Sequence, residues 1–264
     1  MSDAVTILIP HYQTLDAIRL CLRSIRRFTA PPFVVRVLDN GSSDASIAYL
    51  RSLAWVECVD TGIANDLIGA QSAALNLGAA TVDTPYFLVI HSDTYVHRPG
   101  WLRFLIGCAQ RGGHAAVGSR HQTIRVFDSG LLASVSAWTA GWINRFARRE
   151  LGGGVPWLRS CLALYRTEDF RGAGCRFASD GREDATHAAN LALAARGHTI
   201  LSLTDSVVGY YVFHKGDTTR IANRLYPNDD VEFRDRIARH QRHVGGFHAR
   251  PQTQSILADA SLDR

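Results

Sequence analysis

The sequence predicts an α/β protein built on a single doubly wound, mixed but mostly parallel β-sheet flanked by helices. Three observations carry this. Val5 to Ile9, Phe33 to Leu38 and Tyr86 to Ile90 are largely apolar runs of strand length, the pattern of buried strands. Stretches with helical spacing separate them, so strand and helix alternate through the first half of the chain. The third run stops abruptly at His91-Ser92-Asp93, which delivers an imidazole and a carboxylate to a strand's C-terminal end. Open α/β sheets bind their ligands there.

At 264 residues the chain can bury a sizeable core, as one large α/β domain or two small ones. Its 46% hydrophobic and 20% charged residues are ordinary for a soluble globular protein. No apolar run approaches the roughly 18 residues of a membrane span. Met1 to Pro10 has neither a basic n-region nor a small-residue cleavage site, so a cytoplasmic location is expected. Cys21, Cys58, Cys108, Cys161 and Cys175 form no C-x-x-C pair and read as reduced, mostly buried thiols. The net charge of +5 comes almost wholly from arginine, with Lys215 the single lysine. That skew looks like genomic base composition, so charge alone names no partner.

Val5 to Ile9, closed by Pro10, is the first strand. From Thr14 onward Leu15, Ile18, Leu22 and Ile25 recur at helical spacing, with Arg19, Arg23, Arg26 and Arg27 on the other side. Phe33 to Leu38 is the second strand and runs into Asp39-Asn40-Gly41-Ser42-Ser43-Asp44, where Ser42, Ser43 and Asp44 are candidate caps for a helix from Asp44 to Leu53. Trp55 to Val59 is a short strand, and Ile68 to Gly78 an Ala-rich helix with glycine at its expected C-cap. No G-x-G-x-x-G follows the first strand, which disfavours a dinucleotide fold.

Past Pro99 a helix runs to about Gln110, followed by a strand from Ala115 to Gly118. Gly130 to Glu150 is a helical segment with Leu131, Val135, Trp138, Trp142 and Phe146 in one stripe. The stripe reads as core or subunit packing, as in a homodimer, or as an acceptor platform or peripheral membrane contact at the inner membrane face. Gly152-Gly153-Gly154-Val155-Pro156 is a loop, Ser160 to Tyr165 a buried strand, and Thr167 to Gly172 a turn or short helix. Asp180-Gly181-Arg182-Glu183 has capping-box spacing and opens a helix from Asp184 to Arg196. In that box Glu183 turns back to Asp180 and leaves Asp184 free, ionised beside a helix N-terminus. Strands around Thr199 to Leu203 and Val207 to Phe213 precede His214-Lys215-Gly216. The stretch from Pro227 is charged and less ordered in pattern. Its arginines lack the interleaved aromatics of a nucleic-acid surface, so no nucleic acid is expected.

Five pieces stand in a fixed order: Val5-Thr6-Ile7-Leu8-Ile9-Pro10-His11-Tyr12, Leu38-Asp39-Asn40-Gly41-Ser42-Ser43-Asp44, His91-Ser92-Asp93, Gly181-Arg182-Glu183-Asp184 and Phe213-His214. The series resembles the inverting family 2 nucleotide-sugar glycosyltransferases of GT-A fold, over roughly residues 4–215. The resemblance implies a glycosyltransferase domain at 1–225, with a nucleotide-sugar-binding half at 1–98 and an acceptor-binding and catalytic half at 99–225. A charged C-terminal extension, 226–264, lies outside it.

The resemblance implies that Pro10, Tyr12, Asp39, Asn40 and Asp44 grip the nucleotide and that Ser92, Asp93 and Lys215 meet the sugar diphosphate. It further implies that Asp184 is the general base and that Asp93 and His214 hold a divalent cation. The family's Asp-X-Asp motif falls at His91-Ser92-Asp93, where His91 replaces the first aspartate. An imidazole there tilts the metal towards manganese (Mn2+) over Mg2+ or weakens its binding; alternatively His91 only hydrogen-bonds the ribose. The expected donor is a UDP-sugar, with dTDP- and GDP-sugars sharing the same frame, and the expected acceptor is a hydroxyl, of apolar or lipid-linked character if the Trp138–Trp142 stripe is its platform. The alternative is a non-catalytic nucleotide-sugar-binding protein with a degenerate metal site.

Overall fold

The computed structural model describes residues 3–63, 69–126, 157–178, 184–214, 216–223 and 231–264. The helical segment expected at 130–150 with Trp138 and Trp142, the loop expected at 152–156, the capping box read at 180–183, and Lys215 lie outside the described residues.

The apolar runs become the strands β1 (Val5–His11), β2 (Phe33–Asp39), β3 (Val56–Asp60) and β4 (Tyr86–Ile90). Helices α1 (Leu15–Phe28), α2 (Ser46–Ser52) and α3 (Ala70–Ala80) connect them. After β5 (Thr94–Val96) and α4 (Trp101–Gly112) come β6 (Ala116–Ser119), β7 (Leu162–Arg166), α5 (Thr167–Gly172), α6 (His187–Ala195) and β8 (Ile200–Leu203). The main sheet has the order β3-β2-β1-β4-β7-β6-β8. Its first four strands are parallel, β7 runs antiparallel to both β4 and β6, and β8 is parallel to β6. This is the mixed, mostly parallel sheet expected, and β1 and β4 have core on both faces because Ile7 and Leu88 join one cluster while Leu8 and Val89 join the other.

Gly78 is inside α3 rather than at its cap, which is Thr81. A Cβ on Gly78 would sit 2.8 Å from Leu38 Cδ1, so the glycine is what lets α3 lie close on β1 and β2. Of the three candidate caps for α2, only Asp44 reaches the helix start, accepting from the Ser46 N–H at 3.2 Å. Ser42 turns instead to Asp39 and Gln13.

Val207 to Phe213 is not one strand. It is a short helix, α7 (Asp205–Gly209), and then β9 (Val212–His214). A short apolar run does not by itself separate strand from buried helix, and Asp205 in the first turn favours the helix. β9 pairs antiparallel with β5, a three-residue strand without a legible pattern of its own, to form a second small sheet.

The C-terminal stretch is also more ordered than its charge pattern suggests. After α8 (Thr218–Ala222), helices α9 (Val231–His248) and α10 (Pro251–Ala258) and a 3-10 turn, Ala260–Asp263, pack back on the domain. Phe247 stacks on Phe213 at 4.3 Å between centroids and on Tyr95 at 5.6 Å, directly behind β5 and β9. Arg23, expected on the solvent side of α1, is buried and grips Asp263 with two hydrogen bonds of 2.9 and 2.5 Å.

Candidate active site

Strand pairing creates the centre of the site. Thr94 on β5 faces His214 on β9, which sets Asp93, one residue before β5, against the His214 ring. On its other side the His214 backbone exchanges two hydrogen bonds with Ile124, of 2.7 and 3.0 Å. The His214 Nδ1–H donates to the Gln122 carbonyl, which leaves Nε2 facing inward. Nε2 lies 3.0 Å from Asp93 Oδ1 and 3.2 Å from Nδ1 of His91, at the end of β4. One ligand atom from each of the three residues falls within 4.8 Å of the others.

His214 and Asp93 are buried and His91 is half-buried. Burial would lower the His214 pKa, but the adjacent Asp93 carboxylate overrides it and holds the imidazole well above its ordinary value. Burial likewise pushes Asp93 up, yet His214 draws it well below the carboxylate range. His91 is pushed down to about 4, by burial first and then by His214. The metal-free pocket therefore stores one proton on His214, paired with Asp93, beside a neutral His91. Two imidazole nitrogens and a carboxylate oxygen converging on one point, with the His214 ring oriented by a carbonyl, fit a divalent cation that accepts nitrogen ligands.

Asp184 is placed by the turn into α6, which starts at His187 rather than at Asp184. The carboxylate is not free. Oδ1 accepts from the Ser160 N–H at 2.9 Å, from the Thr186 N–H at 3.1 Å and meets the Thr186 hydroxyl at 2.8 Å; Oδ2 accepts from the Ser160 hydroxyl at 3.0 Å. Such a donor set fixes the orientation of the carboxylate. Ser160 Oγ also lies 2.7 Å from Nε2 of His91, so one hydroxyl bridges Asp184 and the cation pocket.

The turns after β1 and β2 sit side by side, since His11 pairs with Asp39 in the register. Asp39 is buried and accepts from the Ser42 N–H at 3.0 Å and the Ser42 hydroxyl at 2.5 Å, which builds the turn. Asn40 is equally buried and straps the turn to the rest of the sheet, donating to the Ala70 carbonyl at 3.3 Å and accepting from Thr61 Oγ1 at 2.8 Å. Asp44 takes the Ser46 hydroxyl, which is also 2.8 Å from Nε2 of His11. Pro10 and Tyr12 are half-buried at the end of β1, with the Tyr12 hydroxyl accepting from Gln13 at 3.1 Å, and Ser92 is buried.

Several residues here carry no sequence signal. Gln122, Ser160 and Gln71 lie in unrelated segments and become neighbours only through the β6–β7–β4 pairing and the packing of α3. Thr218 adds a hydroxyl beside Asp93. His11, inside the strand-end motif, was readable as a residue but not as the start of a buried chain through Ser46 to Asp44.

The architecture is shared with known transferases. The chain superposes on S. aureus TarS in complex with UDP-GlcNAc with a TM-score of 0.58, at 13% identity over 96% of this chain and 70% of that one. Against a longer TarS chain it spans 45% of the length. It superposes on the mannosyltransferase PcManGT from Pyrobaculum calidifontis, in complex with GDP-Man and Mn2+, with a TM-score of 0.55, at 17% identity over 97% of this chain and 74% of that one. These likenesses show the fold, GT-A. No curated protein matches the sequence. The model of the family described as Glycosyl transferase family 2 matches residues 6–173, from the first strand through β7 and α5, and on that match the chain belongs to glycosyltransferase family 2.

Proposed function

We propose that this glycosyltransferase works by inversion, moving a sugar from a nucleoside-diphosphate donor to an acceptor hydroxyl with Asp184 as general base. The observation that carries the reading is the tie from Asp184 through Ser160 to His91, which sets a base beside a cation pocket at the C-terminal end of β4. The half at 1–98 takes the nucleotide and the half at 99–225 the acceptor, with 226–264 as a packed extension. UDP-GlcNAc in TarS and GDP-Man with Mn2+ in PcManGT support a nucleotide-sugar donor, of which a UDP-sugar is the first to try.

His91, Asp93 and His214 would hold the cation, and their two imidazoles favour Mn2+ over Mg2+. Bound there, the cation supplies charge stabilisation to the departing diphosphate. Asp39 retains lone pairs beyond those given to Ser42, enough to accept from a base N–H or a ribose hydroxyl, with Pro10 and Tyr12 beside it. Asn40 and Asp44 keep that turn in shape, while Ser92 and Lys215 are assigned to the sugar diphosphate. Asp184 removes the acceptor proton as the oxygen attacks the anomeric carbon, and the bond to the diphosphate breaks on the opposite face.

The test is a screen of UDP-, dTDP- and GDP-sugars with Mn2+, reading nucleoside diphosphate release in wild type and Asp184→Asn. A positioned base is worth about 10² to 10⁴ in rate, so the variant is expected to lose that much turnover with donor affinity nearly unchanged. Donor binding without release under any acceptor would instead identify a non-catalytic nucleotide-sugar-binding protein.

A further inference from the structure

The hydroxyl of Ser160 touches both halves of the chemistry. Its neighbours are Asp184 Oδ2 at 3.0 Å, His91 Nε2 at 2.7 Å and the side-chain amide of Gln71 at 3.2 Å. The carboxylate can only accept, so the single hydroxyl hydrogen belongs to Asp184. The serine oxygen is then an acceptor towards His91. A hydrogen on His91 Nε2 leaves the lone pair on Nδ1, the atom that faces His214 and the cation pocket.

We propose that Ser160 is a positioning residue that takes its orientation from Asp184 and locks His91 in the Nε2–H tautomer, so that Nδ1 is presented as a cation ligand. This rests on the transfer reading above and extends it: the base and the cation pocket are set as one unit. Gln71 holds the serine in place, its amide nitrogen donating to Ser160 Oγ at 3.2 Å and lying 2.8 Å from His91 Nε2. An aspartate at position 91 would need no such device, because a carboxylate has no tautomer to choose. The imidazole at His91 and the hydroxyl at Ser160 are therefore a matched pair.

The first measurement needs neither metal nor donor. Long-range proton–nitrogen correlation spectra of the full chain, metal-free and 15N-labelled, report which His91 nitrogen carries hydrogen, with His91→Gln identifying the signal. The expected result is hydrogen on Nε2 in wild type and a mixture of tautomers in Ser160→Ala. Hydrogen on Nδ1 in wild type overturns the proposal. The second measurement is Mn2+ affinity by calorimetry. Loss of an outer-shell partner costs about 10- to 100-fold in metal affinity, which Ser160→Ala should show and Ser160→Thr should largely restore. Equal affinity in wild type and a folded Ser160→Ala also overturns it. A wild-type chain that releases no nucleoside diphosphate from any donor sinks the transfer reading instead, and the tautomer result stands apart from it.

Discussion

Nε2 of His214 lies 3.0 Å from Oδ1 of Asp93 across 121 residues of sequence. The contact is a product of β5 and β9, two three-residue strands that pair with each other. It places a charge pair in a fully desolvated position, where Coulomb attraction is strong but each partner alone is costly.

His214→Ala should therefore destabilise the metal-free protein. It strips the buried Asp93 carboxylate of its partner and leaves the Gln122 carbonyl without the imidazole N–H. Breaking a buried pair costs about 3–5 kcal/mol. Urea unfolding at neutral pH should show the loss, and Mn2+ binding should fall by more than about 100-fold. A variant with wild-type stability would mean that water reaches Asp93 freely.

Cation binding should be linked to pH. The metal-free pocket holds a proton on His214, whose pKa is raised by Asp93, and a cation must displace it. Mn2+ affinity should therefore rise with pH through the neutral range, with proton release detectable as a buffer-dependent heat. Saturation at a hundred times Kd adds about 2.7 kcal/mol of stability, so Mn2+ should raise Tm and a chelator should reverse it. Affinity independent of pH would show that His214 is already unprotonated before the cation arrives.

How far the sequence reveals this site depends on the range of each signal. Buried strands announce themselves because Val5 to Ile9 and Tyr86 to Ile90 are almost wholly apolar, and strand ends mark where Asp39 and Asp93 fall. Family resemblance ordered those ends and supplied His214 and Asp184. Long-range partners are another matter. Arg23 satisfies helical periodicity as a surface residue, but periodicity describes one helix and is blind to Asp263, 240 residues away. Ser160 reads only as the first residue of a strand until β7 sets it against His91 and Asp184. Asp184 reads as free because capping logic sees only its own helix, whereas Ser160 occupies it from across the sheet and Thr186 turns its own N–H back to it.

The C-terminal helices should act on the cation pocket from behind. Phe247 is buried and stacks nearly parallel to Phe213, at an interplanar angle of 5°, and to Tyr95, at 12°. Those two rings belong to β9 and β5, the strands that carry His214 and follow Asp93. Phe247→Ala removes the ring and leaves a cavity, at about 3–5 kcal/mol. It should also weaken Mn2+ binding several-fold, with Phe247→Leu intermediate in both. Calorimetry on the two variants separates this from simple loss of stability. Unchanged Mn2+ affinity in a folded Phe247→Ala would confine the tail to a stabilising role.

The Arg23–Asp263 pair should give the tail an acid-labile attachment. Arg23 Nη2 is 2.5 Å from Asp263 Oδ2, and the Tyr49 hydroxyl donates to Oδ1 at 2.8 Å. Burial alone would raise the Asp263 pKa, but the hydrogen bonds from Arg23 and Tyr49 outweigh it and hold the folded-state value below the ordinary carboxylate range. A depressed folded pKa means that the unfolded chain binds the proton first as pH falls. The pair's contribution is therefore complete above the ordinary aspartate pKa of about 4 and is lost as pH drops through the lower folded value. With Arg23 buried and Asp263 about a quarter exposed, the contribution is about 1–2 kcal/mol after allowance for solvent screening. Asp263→Asn should lose that amount at pH 6, and its urea midpoint should fall less than that of wild type between pH 5 and pH 3. Identical pH slopes for the two proteins would show that Asp263 is not what fastens the tail to α1.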